Sequence, residues 1–508
     1  MSVLIVLALA APAAVGSWLV LAGRRLPHRQ VNNAALATSV VTFVSVVVVV
    51  IARPSISAQW VPALGVHWRF AVDGVSAPLL LLTAAVAVAV ALHSRPRPPE
   101  GGSSGSFHGS LLIVAAGALG VFLARDALVF FIAFEVVLVP MWFLIWRFGD
   151  QHRPVARADA AGRFILYTAF GSTLMLVGIL LLIHYGGTAD LDALALSGGG
   201  GIGHTQQVAI ALLLLLGLAV KVPLFPVHTW LPPAHTIAPT AGSVLLAAIL
   251  LKLGTYGIVR LPLATTPDGF HALAPLLAAA GAIGIIWGGL VCLVERDLKR
   301  LIAYSSVAHM GFVALGLASG SRTGLQAALF ANVAHGIVSA LLFFIVGGLK
   351  ERWDTSDLAV AHDALREVSP RLGFALITGL AASLGLPGLA GFWGEFLGVY
   401  AVWSPSGNGS LAVFRAAAVA GAVGAVLSAG YALRVANLVW VGDRPAPMAA
   451  AAHPPEEPGA GAEGSRDMVG SERAVITAFT TAALALGVLP GPLLALTAST
   501  VRILVGGR

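Results

Sequence analysis

Six titratable side chains stand inside long apolar runs: Glu135, Lys221, Lys252, His309, His335 and Glu395. An ionisable group in hydrocarbon is costly and by default marks function. Acids, amines and imidazoles strung through such runs suit one kind of chemistry, the loading and unloading of protons. Glu135 lies between FFIAF and VVLVPMW, so its ionised form needs a partner, and Lys221 is the natural one. Desolvation raises a carboxyl pKa and lowers an amine pKa, and pairing does the opposite to each. A pair that opens and closes therefore switches the proton affinity of both groups; a static ion pair is the plainer alternative. Lys252 has no acid in its own run. His309 and His335 stand on successive runs, where an imidazole both accepts and donates near neutral pH and so suits a relay. Two packing histidines, or a pair of haem ligands, are the rival readings. Glu395 sits just past a proline- and glycine-rich break, as an exit group towards the outer face or as a helix-end cap.

The basic residues sharpen this pattern. Of thirty, only Lys221, Lys252, Lys299 and Lys350 are lysine. Arginine stays charged in nearly any site, whereas a buried lysine can lose its proton. A site that must load and unload a proton therefore keeps lysine. Lys299, Arg300 and Lys350 read as cytoplasmic anchors, and the roles of His228, His235 and Arg434 stay open.

The elements that must carry these groups are membrane-spanning helices. The chain has 508 residues, 58% hydrophobic and 10% charged, far too apolar for a soluble fold. The expected fold is an all-α polytopic membrane protein of about fourteen transmembrane helices. Spans are expected at Val3–Ala22, Val31–Ile51, Gly74–His93, Gly109–Leu123, Ala127–Trp146 and Phe164–His184. A broken seventh and an eighth lie within Val208–Arg260. Further spans follow at His271–Val294, Leu301–Ala318, Gly324–Gly347, Leu372–Trp403 (also broken), Leu411–Trp440 and Ala474–Leu489, the last with a short tail. The segment Ala52–Val72, with Trp60 and Trp68, reads as an outer-face hairpin or cap, and Pro96–Ser106 as a flexible linker. Basic residues gather in the loops after odd-numbered spans, which places both termini outside.

Helices broken at membrane depth are tolerated only where they face protein or a water-filled cavity. The breaks at Lys221–Trp230 and Pro387–Phe396 are about five spans apart, the pattern of an inverted repeat with the ion site at the breaks. The expected organisation is a three-helix segment (1–108), a first repeat (109–260), a second, inverted repeat (271–440), a mobile cytoplasmic loop (441–473) and a C-terminal helix (474–508). The net charge of +7 follows the positive-inside pattern and is not a nucleic-acid signature. One cysteine, Cys292, cannot alone hold an iron–sulfur cluster, and no nucleotide-binding glycine fingerprint stands in a strand-to-helix context. The chain therefore carries no cofactor of its own.

Long motifs add a resemblance. FEVVLVPMW (Phe134–Trp142), RFILYTAFGS (Arg163–Ser172), KVPLFPVHTWLPPAH with APTAGSVLLAAILLKLGTYG (Lys221–Gly257), DLKRLIAYSSVAHMGF (Asp297–Phe312), AHGIVSALLF (Ala334–Phe343) and LGLPGLAGFWGEF (Leu384–Phe396) resemble the antiporter-like membrane subunits of respiratory complex I. The resemblance runs from about Ala124, while the first hundred residues match only in hydropathy. It implies that Glu135, Lys221, Lys252, His309, His335 and Glu395 occupy the family's proton-path positions. Glutamate rather than lysine at 395 resembles subunit M of the bacterial NADH–quinone oxidoreductase. Pro233 departs from the pattern, which often has an acid before Ala-His. The resemblance further implies a bacterial plasma membrane, sister subunits L and N and lipids as partners, and flavin, iron–sulfur clusters and quinone in partner subunits. An Mrp-type cation/proton antiporter subunit, which shares the core, is the alternative; an inert scaffold whose charges only fix helix packing is another.

Overall fold

The computed structural model describes residues 2–62, 65–360, 364–406, 410–442 and 467–506. Among them, twelve helices are long and apolar enough to cross a membrane. The first four are α1 (Ser2–Ala22), α2 (His28–Ala52), α3 (Ser76–His93) and α4 (Ser104–Leu123). Next come α5 (Ala127–Val136) and α6 (Leu138–Phe148), which form one span, then α7 (Pro154–Gly186) and, after the short α8 (Leu191–Ser197), α9 (His204–Lys221). A short α10 (Leu231–Ile237) precedes the span built from α11 (Thr240–Leu245) and α12 (Leu251–Ile258). α13 (Pro267–Val294), α14 (Leu298–Ala318), α15 (Arg322–Trp353) and, beyond the one-turn α16 (Leu365–Val368) and the pair described next, α19 (Leu411–Val435) complete the twelve. α17 (Pro370–Ser383) and α18 (Ala390–Trp403) follow one another across an interruption at Leu384–Leu389. The bent pair α20 (Gly470–Val488) and α21 (Gly491–Gly506), turned by 68°, makes a thirteenth candidate span. The chain is thus a multi-pass helical membrane protein with twelve to thirteen candidate spans among the described residues, roughly the number expected.

Local chemistry explains the ends. The Asp126 carboxylate accepts from Leu128 and Val129 N–H to start α5, and Asp297 and Ser321 start α14 and α15 in the same way. Pro140 offers no N–H to the Val136 carbonyl, and the α5–α6 span is interrupted at Val137. Ser103 caps α4 through Ser106 N–H, so that span starts at Ser104 and takes in part of the expected linker. Asp190 caps α8 within the glycine-rich connection between α7 and α9. The expected tail after α20 is the helix α21, which returns along the hairpin end of the bundle, where the Thr500 hydroxyl accepts from Gly74 N–H. The expected mobile loop lies for the most part outside the described residues, at 443–466.

Two strands, β1 (Ser55–Val61) and β2 (Val66–Ala71), form the expected hairpin in antiparallel register, Ser55 opposite Ala71 and Ala58 opposite Trp68. Its Arg69 pairs with Asp190 and Asp192 at the start of α8. Deeper at this end, Asp73 is clamped by Arg260 and by Arg125, at 3.2 Å. Burial alone would raise the Asp73 carboxyl, but the two guanidiniums outweigh it and hold it well below the usual carboxylate range. The bundle is wrapped so that α11–α12, α14 and α15 are almost wholly enclosed. α7, α13 and α19 turn Leu166, Phe170, Trp287, Leu290 and Val426 outward, as surface facing lipid or a neighbouring subunit does. Lys252, His309 and His335 therefore sit on the interior helices.

Candidate proton path in the bundle interior

The first break runs from Val222 to Trp230. Pro223 and Pro226 cannot donate to the helix ladder. The carbonyls left over at the end of α9 are satisfied instead by Leu224 N–H on Ala219 and by the Trp230 indole on Val220, at 2.9 Å. Pro232 and Pro233 occupy the first turn of α10, where the missing N–H groups have no partner to lose. Lys221 closes α9, 2% exposed, with its ammonium 5.2 Å from the Phe134 ring centre and 5.7 Å from that of Phe164. Cation–π contact replaces part of its lost hydration.

The expected Glu135–Lys221 ion pair is not closed. Glu135 forms no ion pair among the described residues, and its Oε1 is buried without a hydrogen-bond partner. The two groups still act on each other electrostatically. The physical reason is the aromatic pair, which takes the ammonium that the carboxylate would otherwise hold.

Lys252 is fully buried and follows a π-helical turn, Leu246–Leu250. Such turns leave carbonyls free of the usual ladder and recur at functional sites. The Lys252 ammonium donates to the Ala247 carbonyl at 2.6 Å and meets His335 Nδ1 at 2.5 Å. Gly254 permits the approach to α9, since a Cβ there would lie 3.1 Å from the Lys221 Cβ. One helical turn from the lysine–histidine contact, the Thr255 hydroxyl donates to Asn332 Oδ1 at 2.9 Å, a second tie between α12 and α15.

His335 and His309 face each other, ring centres 5.6 Å apart. His309 Nδ1 meets Glu395 Oε1 at 2.8 Å, and its Nε2 meets Ser383 Oγ at 2.9 Å. Glu395 lies under the second break, where a Cβ on Gly385 would stand 2.8 Å from its Oε2. An ionisable side chain thus stands beside each break, Lys221 at the first and Glu395 at the second. Lys252, His335, His309 and Glu395 form one buried series, and Lys221 packs beside it.

Sequence reasoning missed three features. Lys299, expected as an anchor, is 3% exposed and donates to the carbonyl of Ala238, the residue that caps the end of α10. A charged-looking loop, ERDLKR, concealed a helix start that turns this side chain inward. His235 is fully buried, stacked on Phe343 at 4.5 Å, with both ring nitrogens unpartnered and within the electrostatic reach of Lys299 and Lys252. Ser383 gave no signal beyond its place just before a break. A cavity of about 1090 Å³ at the end opposite the hairpin is lined by Lys299, Asp150, Lys350, Ile237 and Thr240. Arg434 caps α13 by donating to the Glu295 carbonyl at 2.7 Å.

A multi-pass helical bundle with two interrupted helices and ionisable groups in its interior is the architecture of an antiporter-like membrane subunit. The chain belongs to the NADH:quinone oxidoreductase/Mrp antiporter membrane family, which it matches over residues 124–420. It is 38% identical over 396 residues to NAD(P)H-quinone oxidoreductase chain 4 1 of Synechococcus, covering 75% of this chain and 71% of the relative. It is 35% identical over 399 residues to NADH-quinone oxidoreductase subunit M of Rhodobacter capsulatus, covering 75% and 73%. Among solved structures it matches a chain of respiratory complex I from Thermus thermophilus with bound NADH, with TM-score 0.84 and 28% identity over 98% of this chain and 99% of that one. The Mrp complex from Dietzia has a chain of the same fold, with TM-score 0.84 and 22% identity over 99% of this chain and 98% of that one.

Proposed function

We propose that the chain is a proton-translocating, redox-inactive subunit of a bacterial NADH–quinone oxidoreductase, of the subunit M type. It stands in the plasma membrane with both termini outside, beside sister subunits L and N. Flavin, iron–sulfur clusters and quinone belong to partner subunits. The observation that carries this reading is the buried series Lys252–His335–His309–Glu395, two hydrogen-bonded pairs of carriers one ring step apart. The relatives at 35–39% identity are quinone oxidoreductase subunits, whereas the Mrp likeness reaches only the fold. An Mrp-type antiporter subunit is therefore the second reading.

In this mechanism a charge change in a neighbouring subunit moves the Glu135 carboxylate relative to Lys221. The open geometry of that pair is one state and the closed ion pair the other. Closing strengthens the hold of Lys221 on its proton, and opening weakens it. The released proton passes to Lys252 and through His335 and His309 to Glu395, which discharges it on the outer face. The segments 109–260 and 271–440 are read as inverted repeats, each supplying one break.

Lys221→Ala and Glu135→Gln test this in the assembled enzyme. Expected is NADH oxidation with proton pumping lost or strongly reduced. Wild-type pumping in either variant would rule the route out, and loss of assembly instead of pumping would favour a scaffold.

A further inference from the structure

The two carrier pairs are each complete within themselves, but the join between them is closed. His335 meets the Lys252 ammonium through Nδ1, at 2.5 Å. The exit from that ring is Nε2, which is buried and has no hydrogen-bond partner. On His309, Nδ1 is engaged with the Glu395 carboxylate, so the nitrogen on which an incoming proton must land is Nε2. The Ser383 hydroxyl already occupies it, at 2.9 Å.

Ser383 is the last residue of α17, at the lip of the second break. Tyr431 of α19 stands beside it, 1% exposed. The Tyr431 hydroxyl lies next to the hydroxyls of Ser383 and Ser428, yet makes no hydrogen bond of proper geometry to either. A buried hydroxyl without a partner is unfavourable, so a turn of the Ser383 side chain onto Tyr431 would relieve it. A serine hydroxyl turns about one bond between staggered wells.

We propose that Ser383 gates proton transfer from His335 to His309, closed on His309 Nε2 and open when its hydroxyl turns to Tyr431. Both are positioning residues. With the gate open, a Lys252 Nζ–H bond breaks and a His335 Nδ1–H bond forms, leaving a neutral amine and an imidazolium. The His335 Nε2–H bond then breaks and a His309 Nε2–H bond forms. His335 ends neutral, and His309 ends as an imidazolium held by the Glu395 carboxylate. One proton has moved, and no electron has. The gate rests on the proton-carrying reading given above.

The test uses the assembled enzyme in sealed, inverted membrane vesicles, with NADH oxidation, proton uptake and passive proton leak measured together. Ser383→Ala leaves His309 Nε2 uncovered. NADH oxidation should persist, the leak should rise several-fold, and protons per NADH should fall. Ser383→Thr keeps a hydroxyl and should restore wild-type coupling. Tyr431→Phe removes the second partner and holds the gate shut, lowering proton uptake and coupled turnover by roughly fivefold, the scale of one hydrogen bond, with no added leak. If Ser383→Ala is not recovered in the complex, Ser383→Cys, a weaker hydrogen-bonding group of similar size, should show a partial leak. Parallel losses of assembly or of both rates in the alanine and phenylalanine variants would mean a structural role and overturn the gate, as would wild-type behaviour in both. Pumping retained after neutralising Lys221 or Glu135 would remove the carrier and the gate alike. Pumping lost there, with unchanged Ser383 and Tyr431 variants, would remove the gate alone.

Discussion

Lys252 holds two partners, a backbone carbonyl and an imidazole nitrogen. Its Nζ donates to the Ala247 carbonyl and lies 2.5 Å from His335 Nδ1, and the proposed path has it pass a proton to that nitrogen. Arginine would preserve charge and most of the bonding but cannot give up its proton. Lys252→Arg is therefore expected to assemble and to oxidise NADH while losing the protons moved through this subunit. Proton uptake by vesicles per NADH consumed checks it, and wild-type stoichiometry in that variant would remove Lys252 from the path. Residue types were legible in the sequence because a lysine or glutamate in an apolar run has no cheap explanation. Their pairing was not. Glu135 and Lys221 suit each other on chemistry alone, and only the positions of Phe134 and Phe164 show which group takes the ammonium. Nor could Lys299 be separated from a surface lysine, since its burial depends on a carbonyl some sixty positions away.

Breaks in helices were legible because proline and glycine act locally: the first lies where the sequence put it, and the second, expected at Pro387–Phe396, falls a few residues earlier, at Leu384–Leu389. What they hold was not, since that depends on the neighbouring helix. The second break separates the two effects cleanly. Gly385 and Gly388 both have positive φ, +75° and +89°, a region costly for any residue with a Cβ. At Gly388 nothing lies within 4 Å of an added Cβ, while at Gly385 the Glu395 carboxylate lies 2.8 Å away. Gly388→Ala should thus cost only backbone strain, about 1 kcal/mol, with pumping retained. Gly385→Ala carries the same strain and also displaces Glu395 from His309, so proton uptake should fall while NADH oxidation continues. Equal pumping in the two variants would show that the position of the carboxylate under the break is immaterial. The bent α20–α21 pair, by contrast, was read as a helix and a tail, because Pro490 and Pro492 look like a stop in sequence and are a turn in the fold.

At the scale of the whole molecule, the two halves meet over the cavity that leads to Lys299. Asp150, on the α6–α7 connection of the first half, bonds Lys350 of α15 in the second at 2.7 Å, and its N–H donates to the Ile237 carbonyl at the end of α10. Arg153 adds a longer contact to Asp297, at 4.0 Å. Burial pushes the Asp150 carboxyl up, but the hydrogen bond and charge of Lys350 outweigh it and hold the carboxyl below its usual range. The sign follows from linkage. A carboxyl lowered on folding contributes stability that is fully present above its unfolded value, about 3.9, and lost as the pH falls through the folded one. Asp150→Asn removes the charge but keeps the shape, so the assembled subunit should melt at a lower temperature than wild type. The difference should stay flat between about pH 5 and 8, because Asp150 is ionised throughout that window in both the folded and unfolded chain. It should shrink only in acid, below the ordinary carboxyl range. Paired melting curves across pH check this. A difference that changes steeply near neutral pH would mean that the contact is governed by a group other than Asp150, and that the two halves are latched by something else.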